Sequence, residues 1–509
     1  MRRTLVIITI LCLSLAAFAV RDKTGVRTIR MSDGSTLHVK RHKALQRSLK
    51  QPNRQWDASK TYRLPVILMS FLDCDFSQDD ANAYYDRLFN ESGFNLRSGP
   101  GSVADYFRDQ SNGLFNLVFD VVGPIQVDYN HQTSSKTRYG SSEIASAVKK
   151  ADELLNFADY DWYGNGQVET VIVVFAGYGG NESAKTAEGC VWPNTMPLRM
   201  QTADGVTVSG YSASAELWSN DAPCGIGTIC HEFSHVLGLP DFYPTAGNEF
   251  SVLDEWDLMD GGNYTDDGWC PPNYSIHERE YMGWQTPEEL TTAQTITDMQ
   301  TLGKGGKTYK IVNDANSSEY YLLENRQWEG WDLMLPGHGL LITHVDFRAN
   351  SWTDNSVNGT ASHHRLEYFH ADGLDFNYFE SNWGRVAKFS KEGRNLRLEH
   401  TAYPFIGEDG VSNDALTDTS TPAAMIFNAR KDGSLLMGKS VMDIRESDGL
   451  ISFNFSDISS GILDVSTECR PVAIYDLQGR QYPASLSELP SSAIYIIRYS
   501  DGTIKKLHR

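Results

Sequence analysis

The sequence predicts an α+β domain followed by a β-rich, sandwich-like region. In the first half, apolar strand-like runs such as residues 63–71 alternate with segments of helical spacing such as 79–89. Interleaved strands and helices are typical of α/β and α+β domains. From about Thr301 onward, short apolar runs are separated by Gly, Asn, Asp and Ser, a pattern typical of a β-sandwich. With 40% hydrophobic and 22% charged residues, the 509-residue chain has the composition of a globular protein.

Local signals predict the individual elements of the first domain. Ser102 is a cap residue ahead of a helix, and Asn112 and Gly113 form a turn before an alternating strand. Residues 141–155 have helical spacing. The continuous apolar run at 168–179 is typical of a strand that is buried on both faces.

The net charge excludes one class of partner. The formal charge is −20 and the chain contains no basic cluster, so we expect no binding to nucleic acid. Acidity is compatible with an extracellular protein and with one that binds cations, and it does not separate the two.

Residues 1–19 are predicted to be a signal peptide. Arg2 and Arg3 precede an apolar stretch at 5–17, and Ala-Phe-Ala at 17–19 has the pattern of a cleavage site. The alternative is a short membrane anchor, but the stretch is too short to span a bilayer comfortably. We therefore expect a secreted or cell-surface protein with no integral membrane segment after cleavage.

The segment HEFSHVLGLPD at 231–241 carries the strongest chemical signal. Apolar residues recur at helical spacing through it, which predicts a helix. His231 and His235 are four residues apart and therefore leave the same face of that helix, where two imidazole nitrogens can bind one Zn²⁺. Glu232 is rotated away from them, so that its carboxylate can reach a water at the metal.

The residues around this helix predict its ends and a third ligand. Asp221, just before Pro223, is the predicted N-cap, and Gly238 is placed to end the helix in a left-handed turn. Asp241 can then approach the same metal, leaving a fourth position open to water as in catalytic sites. Glu216 and Glu280 are the alternatives to Asp241 as the acidic ligand.

HEFSHVLGLPDFY resembles the active-site helix of the immune inhibitor A family of secreted bacterial metallopeptidases. Residues 101–124, 157–179 and 320–346 are similar to other blocks of that family, so the resemblance covers roughly residues 60–455. It implies a zincin or metzincin-like catalytic domain whose signature ends in Asp, where most metzincins have His. The chain departs from the family at Asn194, which follows Trp-Pro where members often have His.

The resemblance implies a zinc-dependent endopeptidase that acts on protein or peptide substrates. The two histidines and Asp241 would hold the zinc, and Glu232 would act as the general base toward zinc-bound water. Met259, in WDLMDGGNY, stands where the family has its Met-turn, and the alternative is an ordinary core methionine. Tyr264, just beyond, is a candidate to stabilise the oxyanion.

Residues 161–169, DWYGNGQVE, look like a degraded calcium loop. Asp161, Asn165 and Glu169 offer oxygens around Gly166 in a spacing that suits Ca²⁺. Tyr163, however, stands where an acidic or amide ligand is normal. A calcium site and a bare turn both remain open at this point.

A second group of metal-ligand residue types lies in the β-rich region. It consists of His344, Asp346, His363 and His364. His344 and Asp346 belong to a strand-like run, so the alternative to a second metal site is a set of ordinary strand and loop residues.

The sequence pattern divides the remaining chain into four parts. Residues 20–55 are basic and polar, and form either a pro-segment or a simple N-terminal extension. Residues 56–295 are the predicted catalytic domain and 296–460 the β-rich domain. Residues 461–509 resemble the C-terminal sorting domains of the type IX secretion route in Bacteroidetes, which would make secretion machinery a partner. The alternative is an ordinary terminal β-module.

Two other functions compete with the peptidase from sequence alone. One is a secreted adhesin or carbohydrate-binding protein with an inactive zincin domain, since the β-rich region could carry binding by itself. The other is a purely structural zinc site, which would normally be closed by four protein ligands. The intact set of His231, Glu232, His235 and Asp241 argues against decay of an active site.

Overall fold

The computed structural model divides into two compact units, Met1–Asp457 and Ile458–Arg509. The predicted signal peptide lies outside the residues that the structure describes, as does most of the predicted pro-segment. Among the described residues, no helix combines the length and the apolar character that crossing a bilayer requires. The described residues are 26–30, 36–40, 49, 56–135, 138–182, 184–245, 252–360, 362–373, 398–407, 412–457, 471–476, 480–482, 489, 494–499 and 504–508.

The first unit is built on a six-stranded mixed sheet, preceded by an antiparallel hairpin of β1 (Val26–Arg30) and β2 (Thr36–Lys40). The sheet strands are β3 (Thr61–Ser70), β4 (Asn116–Gln126), β5 (Gln167–Val168), β6 (Val171–Tyr178), β7 (Asn194–Gln201) and β8 (Thr207–Leu217). Strands β4-β3-β6-β8-β5 are parallel in that order, and β7 pairs antiparallel with β8. As predicted, β6 is apolar and buried nearly throughout, because helices and loops cover both faces of the sheet.

Three helices cover the two faces of this sheet: α1 (Ala81–Asn90), α2 (Val103–Gln110) and α3 (Ser141–Ala151). Successive side chains of a strand point to opposite faces. Along β3, Val66 and Leu68 therefore join the apolar core that contains α1 and α2, whereas Ile67 and Met69 join the core that contains α3.

One predicted helix end is confirmed and another is wrong. Ser102 caps α2, since its hydroxyl accepts the Asp105 N–H and the Asp105 carboxylate accepts the Ser102 N–H. The helix predicted over 141–155 ends at Ala151. Leu154 is 63% exposed, so it has no apolar packing to hold a further turn of helix.

The chain then continues through two helices into a region of short strands. These elements are α4 (Gly227–Leu237), α5 (Ile276–Met282), β9 (Glu288–Glu289), β10 (Gln294–Met299), β11 (Tyr309–Asn313), β12 (Asn316–Arg326), β13 (Gly339–Asp346), α6 (Ala349–Thr353), β14 (Leu366–Tyr368), β15 (Phe405–Ile406), β16 (Ser412–Asn413), β17 (Lys439–Ser447) and β18 (Leu450–Asp457). They form a five-stranded sheet β14-β13-β12-β11-β9, a three-stranded sheet β10-β18-β17 and a small pair β15-β16. The two larger sheets share an apolar core that includes Ile311, Ile342, Val441 and Phe453. The predicted β-rich character of this region is confirmed.

The five-stranded sheet is buried on both faces and joins the two parts of the first unit. Along β12, Tyr321 and Leu323 point into the core shared with the three-stranded sheet. Tyr320 and Leu322 point the other way, into the core that contains α2 and α4. The sandwich-like region therefore packs directly on the α+β region, and the domain boundaries drawn from the sequence stay predictions.

The second unit contains a four-stranded antiparallel sheet. Its strands are β19 (Pro471–Asp476), β20 (Gln481–Tyr482), β21 (Ile494–Tyr499) and β22 (Ile504–His508), in the order β20-β19-β21-β22. Ile474, Leu489, Tyr495 and Ile497 form its described core. The β character is as predicted, and the resemblance to a sorting domain stays a prediction.

The second group of ligand-type residues forms separate hydrogen-bonded pairs, and the structure does not support a second metal site there. Among the described residues of this group, no three side chains bring ligand atoms close enough together for one metal ion. The pairs are His344 with Glu319, His363 with Asp346, and His364 with Glu367, at 2.8, 2.7 and 3.2 Å between nitrogen and oxygen.

Glu319, the partner of His344, is completely buried. Besides His344, it accepts hydrogen bonds from the N–H groups of Phe427 and Asn428 and from the side-chain amide of Asn313. Burial alone would raise the pKa of Glu319, but His344 and these donors lower it to about 2.

We expect Glu319→Gln to lower the free energy of unfolding by roughly 3 kcal/mol near neutral pH, because each pKa unit below the usual value corresponds to about 1.4 kcal/mol. A carboxyl group with a lowered pKa stabilises the fold above its unfolded-state pKa, and this contribution is lost as the pH falls toward 2. Urea unfolding of both proteins should therefore show a large difference at pH 7 and a smaller one at pH 3. An equal difference at both pH values would contradict this account of Glu319.

Candidate active site

Helix α4 places the two histidines of the sequence motif side by side. Ile229, Phe233 and Leu237 of this helix lie in the main apolar core, which fixes the rotation of the helix. The rings of His231 and His235 leave the helix together, with their centroids 4.8 Å apart. Both rings are buried, at 6% and 3% exposure, so any cation between them would be largely shielded from solvent.

The predicted N-cap of this helix is wrong. The helix begins at Gly227, and Asp221 lies earlier in a turn with a φ of 65°, where its carboxylate accepts a hydrogen bond from the Tyr178 hydroxyl. The intervening chain stays attached to β8, because the Cys224 N–H donates to the Glu216 carbonyl. This tertiary pairing delays the helix by several residues.

Gly238 ends the helix as predicted and directs the chain back toward the histidines. Its φ of 110° is left-handed, and the Leu239 N–H donates to the Ser234 carbonyl at 3.0 Å. Beyond this turn, Oδ1 of Asp241 lies 3.3 Å from His231 Nε2 and 3.1 Å from His235 Nε2. The three predicted ligands are thus brought together, with their ligand atoms within 4.8 Å of one another.

Backbone carbonyls orient both imidazoles toward Asp241. His231 Nδ1 lies 2.9 Å from the Leu258 carbonyl, and His235 Nδ1 lies 2.7 Å from the Leu239 carbonyl. A carbonyl only accepts, so Nδ1 carries the hydrogen in each ring and a neutral ring has its lone pair on Nε2. Both lone pairs can therefore be directed at one cation, which is the usual arrangement of metal-binding histidines.

The electrostatics of this group favour a bound cation. Asp241 is 1% exposed, and within the described chain its Oδ1 accepts no hydrogen bond of normal geometry. Burial alone would raise the pKa of Asp241, but the two histidines hold it well below its usual value. Burial alone would lower the pKa of His231, but Asp241 and Glu232 raise it. A buried carboxylate with an unsatisfied oxygen and two imidazoles fits Zn²⁺ by donor type.

Glu232 lies on the same helix and is held by an edge strand. The Thr195 hydroxyl, at the start of β7, lies 2.6 Å from the Glu232 carbonyl and 2.9 Å from its Oε2. Asn194, the point of departure from the family, donates its side-chain amide to the carbonyls of Tyr139 and Trp192. It therefore fixes the loop that leads to Thr195.

Met259 lies next to the residue whose carbonyl orients His231. It is completely buried in the main core, its N–H donates to Asp257, and its carbonyl accepts the Phe242 N–H. The preceding residue, Leu258, supplies the carbonyl that orients His231. This position is compatible with a Met-turn, and the role of Met259 stays a prediction.

Tyr264 belongs to the segment that follows this turn. It is half-buried in a 3-10 helical stretch, Gly262–Gly268, and its ring centroid lies 5.9 Å from that of Trp218. Its role toward an oxyanion stays a prediction.

The two alternative acidic ligands have partners elsewhere. Glu216 accepts hydrogen bonds from Ser77 and from the Gly177 N–H, and Glu280 pairs with Lys310 at 2.6 Å. Neither residue belongs to the ligand group around the two histidines. Asp241 is the acidic residue that the structure brings to them.

The loop that looks like a calcium site is held by its own backbone. Both carboxylate oxygens of Asp161 accept N–H groups, from Asn165 at 3.1 Å and from Gly166 at 2.7 Å. Burial alone would raise the pKa of Asp161, but the N–H groups of the loop together lower it. Asn165 accepts the Gln167 N–H, and Glu169 is half-buried. This arrangement fits either a bare turn or a loop that awaits an ion, so calcium binding stays a prediction.

Two imidazoles, one carboxylate and an adjacent glutamate are the side chains that metal-dependent hydrolases use. A family match agrees with the class of metal-dependent hydrolases. The family is described as the immune inhibitor A peptidase M6 catalytic domain, and it matches residues 60–286, somewhat less than half of the chain.

Individual relatives agree with this match. The chain is 22% identical over 247 residues to immune inhibitor A of Bacillus thuringiensis subsp. alesti, across 40% of this chain and 36% of the relative. It is also 22% identical over 249 residues to the pre-pro-metalloprotease PrtV of Vibrio cholerae serotype O1, across 42% of this chain and 26% of the relative. The alignments thus span about a third and a quarter of these relatives. Together with the family match, they show that this part of the chain is similar to metallopeptidase sequences.

Two residues at the site escaped the sequence analysis. Thr195 directly follows Asn194, so the departure from the family pattern at Trp-Pro-Asn is the sequence signal that points to this segment. Asn355 hydrogen-bonds to Asp241 from 114 residues away. No local pattern marks a single asparagine in a loop as a partner of a distant aspartate, so only the tertiary structure reveals it.

We expect the affinity of the metal-free chain for Zn²⁺ to fall by about tenfold per pH unit below the pKa of His231. That pKa is raised above 6.5, so a proton occupies the imidazole at a higher pH than in an ordinary histidine and must leave before the metal binds. Competition with a calibrated chelator at pH 8, 7 and 6 measures the effect. His231→Ala should lose the tight site at every pH. An affinity for zinc that is independent of pH would contradict the assignment of His231 as a ligand.

Proposed function

We propose that this chain is a secreted zinc-dependent endopeptidase that hydrolyses peptide bonds in protein substrates. The observation that carries the proposal is the buried group of His231, His235 and Asp241, with an unsatisfied carboxylate oxygen at its centre. Glu232 stands on the same helix, and the surrounding region matches a peptidase family. An open ligand set of three residues beside a glutamate is typical of catalytic rather than structural zinc sites.

The three ligand residues would bind the metal. His231 and His235 would donate Nε2, and Asp241 would donate Oδ1. When bound, zinc supplies a Lewis acid that polarises a carbonyl oxygen and acidifies water. The orientation of all three side chains is fixed by hydrogen bonds, so little rearrangement accompanies metal binding.

Glu232 would act as the proton carrier. Its carboxylate takes a proton from the attacking water and later delivers it to the nitrogen of the leaving amine. The Thr195 hydroxyl, 2.9 Å from Oε2, limits the rotation of this carboxylate. Tyr264 remains the candidate donor to the oxyanion.

Protein or peptide chains are the proposed substrates, because the relative from Vibrio cholerae is named a metalloprotease and the matched family is a peptidase family. Export by the N-terminal signal and passage through secretion machinery by residues 461–509 belong to the same proposal. A Ca²⁺ ion at Asp161, Asn165 and Glu169 would be an additional stabilising ion. The alternative of an adhesin with an inactive zincin domain is not favoured by these comparisons.

We expect Glu232→Gln to lower kcat by about 10²- to 10⁴-fold while one zinc per chain remains bound, because the substitution removes a proton acceptor that is not a ligand. The protein for this test is the chain from residue 20, used before and after brief trypsin treatment, which cuts the Lys- and Arg-rich segment 20–55. For each preparation, cleavage of casein and of a quenched peptide is measured together with the zinc content. Glu289→Gln, at an exposed glutamate, is the matched control and should leave the rate unchanged.

The outcomes of this experiment separate the functions. Chelator-sensitive cleavage that is lost in Glu232→Gln supports the peptidase and its base together. Retention of more than about a tenth of the activity would show that Glu232 is not the base. Tightly bound zinc with no cleavage in any preparation would overturn the peptidase and favour a binding protein.

A further inference from the structure

The third ligand of the proposed zinc site is held by a residue outside the family match and outside the predicted catalytic domain. The side-chain amide of Asn355 donates from Nδ2 to Asp241 Oδ2 at 2.7 Å. Its Oδ1 accepts the backbone N–H of the same aspartate at 2.6 Å. Asn355 is 2% exposed, so no solvent competes with either bond.

These two bonds decide which carboxylate oxygen faces the histidines. An aspartate can rotate about its last torsion angle, and its two oxygens are chemically equivalent. Because Asn355 occupies Oδ2, Oδ1 is the oxygen left at 3.1 and 3.3 Å from the two Nε2 atoms. Without the Asn355 side chain, the carboxylate of Asp241 would lose the bond that restrains its rotation. The backbone at Asp241 would lose the bond to its N–H.

The position of Asn355 is itself fixed by contacts with the β-rich region, to which it belongs, and with the predicted catalytic domain. Its N–H donates to the carbonyl of Trp352, whose ring is completely buried and donates to His277 at 3.1 Å. The carbonyl of Asn355 accepts the Thr245 hydroxyl at 3.0 Å. Asn355 has a φ of 53°, a left-handed conformation that asparagine and glycine tolerate best.

Asn355 differs from the groups that orient the other two ligands. Backbone carbonyls of Leu258 and Leu239 hold the histidines, and a substitution cannot remove a carbonyl. The restraint on Asp241 comes from a side chain and is open to direct test.

We propose that Asn355 is a positioning residue for zinc, through which the β-rich region completes the metal site. This inference rests on the proposed zinc-dependent function. Hydrogen-bonded partners of metal ligands typically contribute 10- to 100-fold to metal affinity. The sandwich-like region is then part of the catalytic unit, and the metal site is incomplete within residues 60–286 alone.

The test is the zinc dissociation constant of the full chain and of Asn355→Gly, measured by chelator competition. Glycine accepts the left-handed backbone, so the variant should fold, and it removes both bonds to Asp241. We expect zinc to bind about 10- to 100-fold more weakly, and kcat/KM at saturating zinc to fall mainly through kcat. Asn355→Asp, which is isosteric but lacks the donor, should also shift the constant and provides a second variant in case the glycine protein does not fold.

Asn325→Gly is the matched control. Asn325 is equally buried and donates its amide to the carbonyls of Met299 and Gly449, in a part of β12 that does not contact Asp241. It should lower the midpoint of thermal unfolding without changing the zinc constant. Unchanged zinc affinity in folded Asn355→Gly or Asn355→Asp, with wild type binding zinc normally, would overturn the inference and leave the zinc site intact. A wild-type chain that binds no zinc would instead overturn the proposed function.

Discussion

A carboxylate and two imidazoles buried in one place require a cation, and the rest of the site is arranged around that requirement. Among the residues that the structure describes, Asp241 Oδ1 accepts no hydrogen bond of normal geometry, and it lies 3.3 and 3.1 Å from two Nε2 atoms. Although burial opposes both shifts, the two histidines lower the pKa of Asp241, and Asp241 with Glu232 raises the pKa of His231. A divalent metal ion meets the requirement for a cation, because the ion can bind the carboxylate and both imidazoles at once. The same buried carboxylate therefore favours both the protonated form of His231 and the binding of a metal ion.

Each neighbouring element contributes one restraint to this group. Helix α4 sets the spacing of the histidines, the turn at Gly238 returns the chain to them, and the turn at Leu258 orients one ring. The five-stranded sheet is buried on both faces, and the chain that follows its strand β13 brings Asn355, just beyond α6, against Asp241. The first unit is thus a single structure in which the sandwich-like part supports the chemistry of the α+β part.

The features that the sequence predicted correctly are those that depend on near neighbours along the chain. The i, i+4 histidines, the Gly238 stop and the Ser102 cap follow from helix geometry alone. The features that it missed depend on distant partners. Helix α4 starts late because Cys224 remains paired with β8, α3 ends early because Leu154 has no core to enter, and Asn355 reaches Asp241 across 114 residues. Tertiary contacts decide such cases, and periodicity does not report them.

The most direct test of the account is the position of the metal itself. Anomalous diffraction at the zinc edge, from crystals of the zinc-loaded chain, should show one strong peak about 2.0–2.2 Å from the Nε2 atoms of His231 and His235 and from Oδ1 of Asp241. No fourth protein ligand should be present. A peak elsewhere, or a site closed by four protein side chains, would contradict a catalytic zinc centre in this protein.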